Sequence, residues 1–342
     1  MSKILICGDI HFSTYSSILR KRGEFYSERL ENLLWSINWV EKTAEDNKCN
    51  RIIYLGDFFD KASLDSEELT ALQDIKWSSN IIHYFLVGNH EMGRQDLAYS
   101  SAHLLNLIPN SAVIDQPTTT LLEDYYLTFI PYILESNRKP LIEYLKDVSP
   151  QKNLIFSHND LKGINYGQFI SKDGFDIEEI NSNCKYYFNG HIHNGEWISS
   201  TILNVGNLTG QNFSEDAFRY THGITIYDTE TDKLTHLENP FAYNFYKIEK
   251  IDDNFCNLSF KRNAVLSIKC RESKVKDIKE FLDNNPYVAN YRIITIPEEK
   301  DVSKIEVEDL THKDYIEEFK NYVIENIGKS DALFSELQEI CK

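Results

Sequence analysis

Five apolar stretches of the sequence each end in side chains that could bind a metal ion. These side chains are Asp9 and His11 in "GDIH", Asp57 in "GDFFD", Asn89 and His90 in "GNHE", His158 in "SHND", and His191 and His193 in "GHIH". In an Asp-x-His or a His-x-His pair, both side chains point to the same face of an extended segment, because side chains alternate along a strand. A mixture of carboxylate, imidazole and amide ligands suits Mn²⁺, Fe or Zn²⁺ better than Ca²⁺, which prefers oxygen atoms alone. The spacing therefore predicts metal-assisted chemistry.

Each of these motifs has an ordinary explanation when it stands alone. A single Gly-Asp after a strand is usually a turn, and a single His-x-His pair is more often structural than catalytic. Five such motifs at strand ends are much harder to obtain by accident, and they contain half of the ten histidines of the chain. The remaining histidines are interpreted as ordinary surface or core residues, and they are His83, His103, His222, His236 and His312.

The elements that carry the motifs alternate between strands and helices. Apolar runs predict strands within 3–11, 51–60, 81–91, 153–160 and 186–193. A helix is predicted from Tyr26 to Lys42, because its apolar side chains recur at helical spacing. This alternation is typical of an α/β sandwich with central sheets, in which sites form where the carboxyl ends of strands meet. After Thr201 the pattern becomes β-rich and predicts a hairpin that turns at 228–232.

The sequence changes character near Pro240. Strands are predicted at 264–270 and 287–297, with a helix around Phe281 between them in the sequence. This order indicates a small β-α-β unit. From Glu298 to Glu318 there are nine acidic residues and three lysines, and this net charge of −6 is typical of a solvated linker. Two short amphipathic helices are predicted at the end of the chain. We therefore predict three domains, at 1–240, 241–300 and 301–342.

The bulk composition excludes several classes of protein. A chain of 342 residues with 42% hydrophobic residues can form a large core, but it has neither an apolar run long enough for a membrane span nor a signal-peptide layout. The net charge of −17 argues against a protein that coats nucleic acid. It allows a nuclease, because bound cations change the local field. Six cysteines without CxxC spacing predict free buried thiols and a reducing cytoplasm.

The five motifs, in this order between residues 8 and 193, look like the signature of the calcineurin-like metallophosphoesterases. The resemblance implies a four-layer α-β-β-α sandwich and hydrolysis with two divalent cations, with Mn²⁺ favoured and Mg²⁺, Fe or Zn²⁺ as alternatives. His90 matches the catalytic histidine that serves the leaving group, and Glu91 is expected to orient it from behind. In that family one metal takes the positions of Asp9, His11, Asp57 and His193, and the other takes those of Asp57, Asn89, His158 and His191.

The part of the chain after residue 193 favours the nuclease branch of this family. The predicted unit at 241–297 resembles the capping domain of SbcD-type exonucleases, and the short tail resembles that of phage recombination exonuclease subunits. The resemblance implies a DNA substrate and a role in DNA recombination, repair or degradation in the cytoplasm of a cell or phage host. It also implies that helices at 309–342 bind the coiled coil of an SMC-like ATPase. A homodimer would form through helices at Ser66–Lys76 and Leu97–Leu107.

Other interpretations stay open at the level of sequence. The chain could be a small-molecule or nucleotide phosphodiesterase or phosphatase of the same family, or an inactive scaffold, although the complete ligand set argues against a scaffold. The tail helices could pack on their own domain. The cluster Arg20-Lys21-Arg22 could contact DNA phosphates or form a solvated loop. The segment "NVGNLTG" at 204–210 stands where the nuclease branch usually has a Gly-Ser/Thr-Pro turn, which bears on the shape of the substrate groove.

Overall fold

The computed structural model describes residues 2–16, 19, 22–147, 149–164, 170–251, 255 and 258–297. Its strands in chain order are β1 Lys3–Cys7, β2 Arg51–Tyr54, β3 Ile82–Leu86, β4 Met92–Gly93, β5 Asp96–Ser100, β6 Ser111–Ile114, β7 Thr118–Leu122, β8 Tyr125–Ile130, β9 Asn153–Ser157, β10 Tyr186–Asn189, β11 Glu196–Trp197, β12 Ile202–Asn204, β13 Gly223–Asp228, β14 Lys233–Glu238, β15 Asn244–Ile248, β16 Ala264–Arg271 and β17 Val288–Ile296. Its α-helices are α1 Glu28–Asp46, α2 Ser66–Leu72, α3 Ile177–Asn183 and α4 Val275–Asp283.

Two six-stranded sheets form the larger part of the molecule. The first has the strand order β14-β13-β1-β2-β3-β6 and the second has the order β11-β12-β10-β9-β8-β7. In each sheet the central strands are parallel. Antiparallel strands lie at one margin of the first sheet, β13 and β14, and at both margins of the second, β11 and β7. The hairpin predicted to turn at 228–232 is confirmed as β13 and β14. The strands that precede the five motifs are confirmed as β1, β2, β3, β9 and β10.

Side-chain alternation along β1 explains why the sheets stack. Ile4 and Ile6 belong to the core between the two sheets, where they pack with residues such as Phe156 of β9. Leu5 and Cys7 point the other way and join the core beneath α1. The first sheet is therefore apolar on both faces, as sheets with central parallel strands normally are.

Helices cover the outer faces of the two sheets. On α1, Leu33 and Ile37 are fully buried against the first sheet, and Ser27 caps the helix by accepting a hydrogen bond from Leu30 N at 3.2 Å. On α3, Ile180 packs with Ile155 in the core on the outer side of the second sheet. The order helix, sheet, sheet, helix confirms the predicted four-layer sandwich.

A third sheet, β15-β16-β17, is parallel throughout and carries α4. Leu266 of β16 packs with Ile278 and Leu282 of α4. On another side, Val265 belongs to a small core with Phe213, which lies in a loop of the larger part of the molecule. We call β15 to β17 with α4 the capping sheet. The predicted β-α-β unit is confirmed, although β15 was not predicted because Asn-Phe-Tyr-Lys-Ile lacks a strict polar-apolar alternation.

The helix predicted at Leu97–Leu107 is confirmed only for its second part, as a 3-10 helix, and is wrong for residues 97–100. The chain forms β5 and then a 3-10 helix at Ser101–Leu107. The backbone of β5 pairs with β4, so it is not free to form helical hydrogen bonds. The other predicted helix begins at Ser66 with a capping box of Asp65 and Glu68, but it ends at Leu72.

Several remaining predictions concern single features. Cys7, Cys49, Cys184 and Cys270 are free and buried, as predicted. Arg20, Lys21 and the tail predicted at 301–342 lie outside the described residues. Within the described ranges, no helix is both long enough and apolar enough to cross a membrane. Residues Met1–Ile296 form one compact unit, and the domain boundaries at 240 and 300 stay predictions.

Candidate functional site

The loops that follow β1, β2, β3, β9 and β10 bring the predicted site residues to one edge of the stacked sheets. This is the edge at which the carboxyl ends of parallel strands meet. Two groups of three residues each place their ligand atoms within 4.8 Å of one another: Asp9, His11 and His193 form one group, and Asp57, His158 and His191 form the other.

The two groups meet at Asp57. Asp57 Oδ2 lies 3.2 Å from His158 Nε2 and 4.0 Å from His11 Nε2. Asn89 joins the same cluster, because its Oδ1 lies 3.1 Å from His158 Nε2. All seven residues predicted as metal ligands are therefore neighbours, with Asp57 in the middle. We call these seven residues the ligand cluster.

Three residues of the ligand cluster have left-handed backbone conformations. The φ angles are 51° at His11, 46° at Asp57 and 70° at His191. This region is uncommon for residues other than glycine, and strained backbone of this kind concentrates at functional sites. Hydrogen bonds connect the backbones of two of these residues, since Ile10 N and His11 N both donate to Asp57 O, at 3.1 and 2.9 Å.

Backbone amides hold one oxygen of each central carboxylate. His191 N donates to Asp9 Oδ1 at 3.0 Å, and His90 N donates to Asp57 Oδ1 at 2.9 Å. The Oδ2 atom of each carboxylate is thereby turned toward the imidazoles of the ligand cluster. The loops thus position these carboxylates before any cation binds.

The glycines of the motifs allow this close approach. A Cβ atom on Gly88 would lie 2.1 Å from Asp57 Oδ1, and one on Gly56, where φ is 110°, would lie 2.4 Å from His158 Nδ1. No side chain fits at those distances. The Gly-Asp and Gly-Asn pairs in the sequence therefore reflect crowding around the ligand cluster as well as turn geometry.

The donor set fits a divalent cation. His11 Nε2 and His193 Nε2 are 3.1 Å apart, and each lies 3.8 Å from Asp9 Oδ2. Asp9 Oδ2 is buried and has no hydrogen-bond partner among the described residues. A buried carboxylate oxygen without a donor is costly, and a cation that also accepts imidazole nitrogen would remove that cost.

The pKa values of the ligand cluster reflect its crowded negative charge. Burial alone would lower the pKa of His11 and of His158. Carboxylates reverse that effect: the hydrogen bond with Asp60 and the charges of Asp9 and Asp57 raise the pKa of His11 to about 10, and Asp57 and Asp9 raise that of His158 to about 9. Without a cation, His11 and His158 thus retain protons on their imidazoles. Metal binding would displace them, because a ligating imidazole must be neutral.

His90 stands beside the ligand cluster, with 45% of its side chain exposed. Its Nδ1 lies 3.4 Å from Asp60 Oδ1 and 3.3 Å from Asp60 O. The hydrogen bond with the Asp60 carboxylate raises the pKa of His90. The prediction that Glu91 orients His90 is wrong, because Glu91 accepts hydrogen bonds from Gly88 N at 2.8 Å and Phe59 N at 2.9 Å. Glu91 holds the backbone of the motifs, and Asp60 contacts His90.

Carboxylates that the sequence analysis missed hold the outward-facing nitrogens of three imidazoles. The pairs are His11 Nδ1 with Asp60 Oδ1 at 3.0 Å, His193 Nδ1 with Glu215 Oε1 at 3.1 Å, and His191 Nε2 with Asp160 Oδ1 at 3.2 Å. Such contacts set the ring orientation and basicity of a metal-binding histidine. Asp60 and Asp160 stand inside "GDFFD" and "SHND", so the motifs could have suggested them. Glu215 has no local signal.

The segment at 204–210 supports the ligand cluster through its backbone. Leu208 N donates to Asp9 O at 2.8 Å, and Asn207 N donates to His193 O at 3.1 Å. The Asn207 side chain also donates to Glu215 Oε1 at 3.0 Å. Despite its unusual sequence, this segment therefore connects the first and last motifs by backbone hydrogen bonds.

The chain is similar to proteins of known family. Residues 2–195 match the family model of calcineurin-like phosphoesterases. The chain is 25% identical over 313 residues to exonuclease subunit 1 of Enterobacteria phage T4, which covers 86% of this chain and 88% of that protein.

Two solved structures show distant similarity to this chain. A novel archaeal phosphodiesterase has a TM-score of 0.36 and 14% identity, covering 69% of this chain and 99% of its own. A hypothetical protein from Thermus thermophilus has a TM-score of 0.39 and 11% identity, covering 70% of this chain and 100% of its own. Likeness at this level carries no argument about function. The family match instead spans more than half of the chain and contains all five motifs, so the protein belongs to the calcineurin-like phosphoesterases.

Proposed function

We propose that this chain is a metal-dependent DNA nuclease that hydrolyses phosphodiester bonds as the nuclease subunit of a complex with an SMC-type ATPase. The observation that carries the proposal is that Asp57 Oδ2 lies 3.2 Å from His158 Nε2 of one ligand group and 4.0 Å from His11 Nε2 of the other. Two adjacent cations suit in-line displacement at phosphorus, where charge develops on both the attacking and the leaving oxygen.

The ligand cluster would hold both cations. Asp9, His11, Asp57 and His193 would bind one, and Asp57, Asn89, His158 and His191 would bind the other. When bound, the cations supply activation of a water molecule and neutralise charge on the phosphate. We propose Mn²⁺ as the metal, with Mg²⁺, Fe or Zn²⁺ as alternatives, because these ions accept the mixed set of carboxylate, amide and imidazole ligands.

His90 would serve the leaving oxygen. Its backbone N–H donates a hydrogen bond to Asp57 Oδ1, and this places the side chain next to the ligand cluster. Asp60 contacts its Nδ1. The exposed half of the ring can therefore face the substrate. A histidine placed to donate a proton in this way contributes about 10²–10⁴-fold in rate.

Similarity and cavity chemistry support DNA as the substrate. The phage T4 relative is an exonuclease subunit, and the similarity extends over most of both chains. A cavity of about 610 Å³ borders His191 and His193 and is also lined by Arg219 and Tyr220. An arginine can bind backbone phosphate and a tyrosine can stack on a base, so this cavity suits a nucleotide beside the ligand cluster.

The remaining parts of the proposal concern assembly. The relative is named as a subunit, which supports a complex. We propose that the tail at 309–342 binds the coiled coil of the ATPase and that the chain pairs as a homodimer. The exposed side chains of Leu104 and Leu107 are candidates for the dimer surface. We further propose a role in DNA recombination, repair or degradation in the cytoplasm of the cell or phage host.

Substrate preference tests the proposal. The purified chain would be assayed with Mn²⁺ on linear DNA, a cyclic nucleotide and a phosphomonoester, alone and with the ATPase. We expect DNA to be degraded fastest and the phosphomonoester to be hydrolysed least. Asp57→Ala should abolish the activity, whereas Asp46→Ala, at the far end of α1 with an exposed side chain, should not.

The competing function is a small-molecule or nucleotide phosphodiesterase or phosphatase. The same metal ligands would serve it, and the capping sheet would then only shape a pocket. Faster hydrolysis of the cyclic nucleotide or the phosphomonoester than of DNA, under the same conditions, would establish that function and contradict the nuclease.

A further inference from the structure

Arg29 is a buried cation near the ligand cluster. It lies in the first turn of α1 and is only 3% exposed. Within the described ranges, its guanidinium makes one hydrogen bond, from Nη1 to Gly210 O at 2.9 Å. The Arg29 guanidinium has five donors in a planar fork, and a backbone carbonyl supplies no negative charge. Glu215 and Asp60 are the carboxylates whose charges act on Arg29, but neither forms an ion pair with the guanidinium among the described residues, and both contact histidines instead. A buried guanidinium is costly unless an anion contacts it, so this position suits a site that receives an anionic ligand.

Arg29 lines a cavity of about 280 Å³ beside the ligand cluster. His11, Tyr15, Asp60, Gln211 and Asn212 also line it. Asn212 lines the larger cavity next to His193 as well. Two cavities therefore border the ligand cluster. Both are lined by Asn212, and each is also lined by an arginine.

The carboxylate in the smaller cavity is already engaged. Asp60 Oδ1 contacts His11 Nδ1 at 3.0 Å and His90 Nδ1 at 3.4 Å, so this oxygen is engaged by two imidazoles. His11 turns its other nitrogen, Nε2, toward His193 and the metal-binding oxygens. His11 and Asp60 therefore form the side of the cavity that borders the ligand cluster. Arg29 lies beside the reaction centre and not within it.

We propose that this cavity binds the phosphate next to the one that is hydrolysed, with Arg29 as its anion-binding group. The inference rests on the proposed function, since a neighbouring phosphate exists only in a substrate with a nucleic-acid backbone. The guanidinium fork matches the geometry of phosphate oxygens better than a lysine ammonium does. Tyr15 is 71% exposed at the same cavity and offers a face on which a base can stack.

A bisphosphate isolates this contact. Thymidine 3′,5′-bisphosphate carries two phosphates at the spacing of one nucleotide and contains no phosphodiester bond. Calorimetry would compare its affinity, in the presence of Mn²⁺, with those of thymidine 3′-phosphate and thymidine 5′-phosphate. We expect the wild-type chain to prefer the bisphosphate over either monophosphate by about 10- to 100-fold, the usual effect of one charge-assisted contact.

Arg29→Gln should remove this preference, since it keeps a hydrogen-bonding side chain but no charge. Lys42→Gln removes one positive charge from the same helix at an exposed position, and it should retain the preference. Gln211→Trp keeps Arg29 but fills the cavity, so it should also lose the preference. This last variant keeps the test decisive if Arg29→Gln does not fold.

The outcomes separate this inference from the nuclease proposal. A wild-type chain without bisphosphate preference, or a preference that survives in either Arg29→Gln or Gln211→Trp, would overturn the phosphate subsite even if DNA is cleaved. A preference that depends on Arg29, in a chain that does not cleave DNA, would support the subsite and contradict the nuclease.

Discussion

The ligand cluster and the capping sheet differ in what they bury: carboxylates and imidazoles in the first, apolar side chains in the second. The ligand cluster buries Asp9 and Asp57 together, leaves Asp9 Oδ2 without a hydrogen bond among the described residues, and holds Asp57 in a left-handed conformation. In the capping sheet, Leu266 and Ile268 are fully buried in an apolar core with α4. Burial of apolar surface thus stabilises the capping sheet, whereas buried like charges and a left-handed backbone destabilise the ligand cluster.

This difference shows where the chain has been shaped for binding. Buried like charges and strained backbone cost free energy, and a bound cation would offset that cost. Apolar packing needs no ligand. Substitutions in the ligand cluster should therefore change chemistry more than folding, and substitutions in the capping sheet should do the reverse.

Asp57→Ala should produce the largest change in activity. Asp57 Oδ2 lies near imidazoles of both ligand groups, His11 and His158, so both cations should be lost or weakened. Hydrolysis of bis(p-nitrophenyl) phosphate should fall by about 10⁴-fold or more, because the cations supply several kcal/mol of stabilisation. Elemental analysis would measure the bound metal, with Asp46→Ala as the control. Full occupancy by two metals with normal activity would contradict the shared-ligand arrangement.

His90→Asn should reduce turnover while the metals stay bound. We expect kcat to fall by about 10²–10⁴-fold, the usual contribution of a general acid. The measurement is kcat together with metal content, and His236→Asn, on an exposed part of β14, is the matched control. Because a ligand atom of His90 lies within 4.8 Å of those of His11 and Asp57, loss of metal in this variant would instead assign His90 to metal binding.

Removal of residues 309–342 should leave chemistry intact and abolish assembly. The truncated chain should still bind metal and hydrolyse a small phosphodiester, since every residue of the ligand cluster lies before residue 194. It should lose ATP-stimulated DNA degradation and association with the ATPase in a pull-down. Unchanged affinity for the ATPase would place the partner surface elsewhere on the chain.

Leu266→Ala should weaken folding far more than catalysis. The cavity it leaves should lower the free energy of unfolding by about 2–5 kcal/mol, as measured by urea denaturation. Ile294→Ala, at a 40% exposed position in the same sheet, should cost under about 0.5 kcal/mol. Hydrolysis of bis(p-nitrophenyl) phosphate by folded Leu266→Ala should stay within about twofold of wild type. A large loss of that activity would show that the two regions are coupled.

Leu107→Asp should change the stability and activity of the single chain least, and it should weaken the association of two chains into the proposed homodimer. Leu107 is 84% exposed, so a charge there should not disturb the fold. In the proposed homodimer it would disfavour the interface, and sedimentation velocity should then show a shift toward monomer. Leu121→Asp, at a 61% exposed position on β7, is the control. A wild-type chain that is monomeric at micromolar concentration, with and without DNA, would contradict the homodimer itself.

Much of the fold could be predicted because its signals are local. Short apolar runs marked the central strands, and helical spacing marked α1. The segment at Leu97–Leu107 has apolar spacing that resembles a helix, but pairing with β4 makes its first residues a strand, and only Ser101–Leu107 is helical. β15 was missed because parallel strand pairing with β16, and not its own alternation, makes it a strand.

The sequence by itself determined the residue types of the ligand cluster, because a carboxylate, an imidazole or an amide carries its ligand chemistry wherever the chain places it. Only the tertiary structure decided which side chains support that cluster. Glu215 reaches His193 through the path of a loop, and Asp60 takes the contact with His90 that was expected of Glu91. These contacts depend on distances of about 3 Å between atoms from separate loops. The stacking of the two sheets fixes those distances, and no local sequence pattern encodes them.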